Sequence, residues 1–176
     1  MGPLMKLGRR HLLGMAFVSW PFVELGEPFY PRQKPLDQDN DLVVMHGHAR
    51  PAQGRIIHLV GTVRDRQGRG VRGARVEIWQ ADHLGRYHDG LNRQDPDFQG
   101  FGAMLTDRDG GYRFRTVKPG IAYGRPPQIH MQVRAAKTGV TTRLYFPDEP
   151  IDPYQPTLIA VLEAPAVYRF DVALPG

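Results

Sequence analysis

Punctuation is what most limits the folds open to this chain. Its 20 glycines and 16 prolines fall between short apolar runs. That spacing suits an all-β fold with many turns better than a helical one. Arg55–Asp65 (RIIHLVGTVRD) is rich in β-branched residues and stops at the turn signal Arg66-Gln67-Gly68-Arg69-Gly70. Ala74–Gln80 alternates, with Ala74, Val76, Ile78 and Gln80 on one face and Arg75, Glu77 and Trp79 on the other. Thr106–Gly111 is a turn leading into Tyr112–Thr116. Gln128–Ala135, Thr142–Phe146 and Val167–Ala173 read as further strands. Turn signals about every 8–12 residues predict a β-sandwich of two mainly antiparallel sheets. Long loops at His88–Gly102 and Pro119–Pro127 are expected to carry function on that rigid frame. The Pro- and Asp-rich stretch Gly26–His48 is expected to wrap over the core as an extended arm.

At 176 residues, 41% of them apolar and 23% charged, the chain suits one soluble domain with a sizeable core, residues 24–176. With no cysteine, a disulfide, a thiolate metal site and a Cys nucleophile are excluded, and any metal must be held by His, Tyr, carboxylate or amide groups. The net charge of +5 comes largely from scattered arginines. No aromatic-and-basic stripe accompanies them, so no nucleic-acid partner is expected. They can draw in an anionic small molecule instead. Residues 1–23 stand apart: Arg9-Arg10 precedes a short apolar run, resembling a twin-arginine export signal. The run is too short to span a membrane comfortably, and an N-terminal segment docked on the sandwich is the other reading.

Three runs are specific enough to carry a family resemblance: GTVRDRQGRGVRGARVEIWQADHLGRY, DPDFQGFGAMLTDRDGGYRFRTVKPG, and GRPPQIH with TTRLYFPDEP. Together with GEPFYP and LDQDNDL upstream, they resemble the intradiol ring-cleavage dioxygenases, most of all protocatechuate 3,4-dioxygenase chains and their small single-domain relatives. The likeness runs from Gly26 to Pro150. It implies a catechol-type substrate, O2, and a mononuclear Fe(III) held by two tyrosinates, two histidines and a hydroxide. Hard phenolates favour the ferric state, and imidazoles fill the remaining positions.

The resemblance places Tyr87, after WQADxxGR, at the first tyrosinate, which leaves when substrate binds. His130 takes a histidine position. Gln128 stands where the family has its other histidine. Positions i and i+2 of a strand share a face, so both can reach one metal while Ile129 points to the core. For the second tyrosinate, the family's position falls on Ala122. Tyr123, one residue on, is the candidate ligand, with a loop aromatic at the pocket mouth as its other reading. Arg125 matches the family's arginine for charge developing on the substrate. Arg143 replaces a common glutamine and is a substrate-binding candidate, or else a strand residue paired with Asp148 or Glu149. His46 and His48 have the i, i+2 spacing of a metal pair but lie in the polar arm and read as loop residues; His83 and His58 read as loop and strand residues, and His88 as a solvated loop residue or, in a rebuilt iron site, a nitrogen donor. Two alternatives to catechol cleavage stay open: an iron-poor binding or scaffold sandwich, and other chemistry on an aromatic or polyketide-like ligand. The oligomeric state is open too, a homo-oligomer included.

Overall fold

The fold is seen in a computed structural model that describes residues 29–88, 93–149 and 158–175. The segment read as an export signal or docked N-terminus lies outside them. Among the described residues the elements are strands: β1 (Ile56–Arg64), β2 (Arg75–Gln80), β3 (Phe101–Leu105), β4 (Gly111–Val117), β5 (Gln128–Ala135), β6 (Thr138–Tyr145), β7 (Val161–Ala164), β8 (Val167–Arg169) and β9 (Val172–Ala173). One sheet runs β4-β1-β8-β7 with β9 also beside β1; the other runs β3-β2-β5-β6. Pairing is antiparallel except where β8 and β9 lie parallel to β1.

The alternation in β1 buries Ile57, Leu59 and Val63 against Phe114 of β4. From the opposite sheet Val76, Ile78, Ile129, Met131 and Leu144 meet them in one core. Sequence and structure part where periodicity is weak. β6 begins at Thr138, four residues before the expected start, through a tight turn at 136–137. β3 grows out of the end of a segment read as loop. β7 is exposed at all four positions, so it has no apolar period to read. The last expected strand divides into β8 and β9.

β2 is buried on both faces after Arg75, because the arm returns across its outer side. The Tyr30 hydroxyl donates to Glu77 Oε2 at 2.9 Å, Lys34 Nζ donates to Glu77 Oε1 at 2.9 Å, and Arg75 holds the same carboxylate. Burial alone would raise the Glu77 pKa; these donors outweigh it and leave it below the usual range. Farther along, the arm bonds to β4 through Leu42 N to the Arg115 carbonyl (2.8 Å) and sinks Leu42 and Val43 into the core. At Gly102 a side chain would collide with Leu42 and the Asp39 carbonyl, so only glycine lets the arm lie this close.

The register of the second sheet sets out a row on that outer face: Phe101 (β3), Trp79 (β2), His130 (β5) and Arg143 (β6) are successive cross-strand partners. Directly opposed residues project to the same side. The arm covers one end of this row, and the loops 82–87 and 119–127 close around the other.

Candidate active site

Asp82 organises the loop that delivers Tyr87. Its fully buried carboxylate accepts from the backbone N–H of Leu84, Arg86 and Asp95 at 2.9–3.0 Å and from Arg86 Nε at 2.8 Å. Burial pushes this carboxyl up, and the Arg86 and backbone bonds more than offset it, so it stays ionised. Its carbonyl also accepts from Gly120 N at 2.9 Å, tying the loop to the 119–127 segment. Tyr87 is thereby turned inward, 3% exposed.

Gln128, Ile129 and His130 divide between faces as the strand period requires: Ile129 enters the core, and Gln128 and His130 are buried on the outer side. The His130 ring stacks on Trp79 (centroids 5.3 Å, planes 8° apart), and its Nε2 lies 3.1 Å from Tyr87 Oη. Burial, reinforced by Arg143 and Arg125, lowers the His130 pKa to about 4, so the imidazole is neutral at physiological pH. Burial raises the Tyr87 phenol to about 12, against the pull of the Gln128 amide and Arg125. Gln128 Oε1 is buried with no hydrogen-bond partner among the described residues.

Tyr123 is placed differently. It and Gly124 are the central residues of a turn closed by Arg125 N to the Ala122 carbonyl (2.9 Å), both with positive φ (50° and 72°). The side chain is 59% exposed, at the rim. Between Tyr87 and Tyr123 lies the ring of Phe29, parallel to both: 4.3 Å and 13° from the first, 5.2 Å and 7° from the second. Arg125 is exposed beside the turn and Arg143 half-buried next to His130. Neither is in an ion pair among the described residues; Asp148 is taken by Lys118 and Arg55, and Glu149 by Lys118.

Among the described residues no three His, Asp or Glu side chains converge, so a metal here would depend on phenol and amide oxygens. The residues present fit a ferric ion as a three-donor set. Tyr87 Oη and His130 Nε2 are already adjacent, and the orphaned Gln128 Oε1 is a buried acceptor in need of a partner.

The other histidines stay apart from this cluster or at its edge. His48 bonds Asp97 at 3.0 Å, and His58 is an exposed strand residue. His88 lines the small space behind Tyr87. The sequence alone does not single out Asp82, Trp79 or Phe29. Asp82 carried a signal, an Asp two residues before a Leu-Gly-Arg turn. Trp79 sat on the strand face shared with Glu77. Phe29 offered only an aromatic between two prolines in a polar arm.

Comparison with known proteins gives the family and the fold. The dioxygenase family model matches residues 25–125. The chain is 37% identical over 144 residues to the protocatechuate 3,4-dioxygenase beta chain of Burkholderia cepacia, spanning 74% of this chain and 60% of that one. It is 31% identical over 181 residues to the alpha chain of the Pseudomonas putida enzyme, spanning 89% and 88%. The dioxygenase domain of a carbohydrate-binding fusion from Streptomyces sp. SirexAA-E superposes with a TM-score of 0.66 at 26% identity, over 85% of this chain and 94% of that one. The 3-chlorocatechol 1,2-dioxygenase of Rhodococcus opacus 1CP shares the fold (TM-score 0.65, 20% identity, 84% and 69% covered). The chain belongs to the intradiol ring-cleavage dioxygenase family.

Proposed function

We propose that this chain opens a catechol-type ring between its two hydroxyls, using ferric iron held by Tyr87, His130 and Gln128, while Tyr123, on the far side of Phe29, lines the pocket mouth. One O2 is consumed and both its atoms enter a single muconate-type dicarboxylic product. The observation that carries this reading is the buried contact of Tyr87 Oη with His130 Nε2, beside the unpartnered Gln128 Oε1.

Each residue has a physical task. His130, neutral above about pH 4, offers a lone pair without first losing a proton, and Trp79 fixes its ring plane. Tyr87, with a phenol near 12, loses its proton only when a strong positive charge beside it stabilises the phenolate, and takes it back readily. It is therefore suited to act as base for an incoming catechol hydroxyl. Arg125 and Arg143 meet the negative charge of the bound catecholate and the charge that grows as the ring opens. Ferric iron, when bound, would supply the Lewis acidity and electronic mixing that let O2 attack the ring. Gln128 is neutral where a second imidazole would be stronger, which favours a second reading: a relative that binds aromatic ligands with little or no iron.

Reconstitution distinguishes them. Iron-loaded protein should be coloured by tyrosinate-to-iron charge transfer, and Tyr87→Phe should shift or bleach the band. Colourless protein that retains no iron would leave the second reading.

A further inference from the structure

The space between Tyr87 and Tyr123 is shaped for a flat ring, and the chain fills it with its own. Phe29 stacks on Tyr87 at 4.3 Å and on Tyr123 at 5.2 Å, and its centroid lies 6.3 Å from His130. Its backbone is in the left-handed region (φ 64°), an unfavourable conformation for a residue with a side chain. While the ring is in place, it occupies the face of Tyr87 turned toward Tyr123.

We propose that the Tyr87–Tyr123 gap is the subsite for a planar aromatic anion and that Phe29 is its built-in occupant, an internal competitor withdrawn as the arm shifts. The proposal rests on the catechol-binding reading above and deepens it. Two features say what replaces the phenyl group. The parallel tyrosine faces select a flat ring. Arg125 and Arg143, outside any ion pair among the described residues, add a preference for negative charge that Phe29 does not satisfy.

The arm is fastened one residue beyond the plug. Tyr30 and Lys34 both bond Glu77, Tyr30 meets Trp79 edge-on at 5.0 Å, and Lys34 Nζ lies 4.8 Å from the Phe101 ring centre. Phe29 is strained while this latch is sound, so the closed arm balances backbone strain against the latch and the ring stack. A ligand must displace that closed state, and its apparent affinity is reduced by the fraction of molecules that are open.

Benzoate tests this, because it lacks the vicinal hydroxyls that chelate iron, and its binding to iron-free protein needs neither metal nor O2. Calorimetry should show Phe29→Ala binding benzoate about tenfold more tightly than the wild type. Tyr30→Phe and Lys34→Met, which loosen the latch and keep the plug, should shift affinity in the same direction by less. Cyclohexanecarboxylate, which carries the charge without the flat ring, should gain much less. Equal or weaker benzoate binding by Phe29→Ala would make Phe29 an ordinary wall and overturn the proposal, as would an equal gain for cyclohexanecarboxylate. Should Phe29→Ala fail to fold, the latch variants decide alone: unchanged affinity in both overturns it. Loss of ring-cleavage activity would instead strike the catechol reading and leave these binding results untouched.

Discussion

Gln128 and His130 share a strand face two residues apart, and their difference in chemistry sets two expectations. An imidazole binds iron more strongly than an amide oxygen, so Gln128→His should raise ferric affinity about tenfold or more, read by competition with a chelator. Unchanged retention would place the ion elsewhere. His130 makes the iron-free protein sensitive to acid. Folded, it titrates near 4; unfolded, near 6.5. Between those values the unfolded chain binds more protons, so stability falls as pH drops through this window, by roughly 3 kcal/mol in all. Above about pH 6.5 the group contributes no slope. Urea melts at pH 7.5 and 4.5 should show the loss in the wild type and a smaller one in His130→Asn. At this scale the sequence was informative wherever a motif fixed the position, as for Tyr87, Gln128 and His130. It was silent on Phe29, whose neighbours are about 60 and 95 residues away along the chain.

Strands with strong alternation were legible nearly to their ends: β1, β2 and β5 fall within a residue or so of the apolar pattern. β7 was not, since it is exposed throughout and exists only by pairing with β8. The join between β1, β4 and the β8–β9 segment shows how closely these elements meet. The buried Tyr112 hydroxyl donates to the Phe170 carbonyl, directly over Gly61 of β1. A methyl group on Gly61 would run into both. Gly61→Ala should therefore cost about 2–3 kcal/mol and lower Tm by about 5–10 °C. A Tm within about 1 °C of the wild type would mean that β1 and this corner are not packed as described. The loss should leave the spectrum of iron-loaded protein intact, because this corner lies on the opposite sheet from the Tyr87–His130 cluster.

Across the whole molecule, the β3-β2-β5-β6 sheet holds a row of side chains, with Gln128 and His130 among the site residues, and the loops and arm bring Tyr87, Tyr123 and Phe29 to it. The sandwich and its resemblance to ring-cleavage dioxygenases were legible because turn chemistry and the WQADHLGRY and QIH motifs are local. The arm's path over β2 was foreseen only as a wrapping; which residue it would seat between the tyrosines depends on contacts that only the fold creates. Ring cleavage by this chain should incorporate both atoms of O2. Its most direct test is turnover of catechol, protocatechuate, hydroxyquinol and chlorocatechols by iron-loaded protein under ¹⁸O2, with the product weighed by mass spectrometry. The expected result is a ring-opened acid with two new carboxyl groups, each carrying one labelled atom. No product from any of these substrates, or a product with at most one labelled atom, would contradict intradiol dioxygenation by this chain.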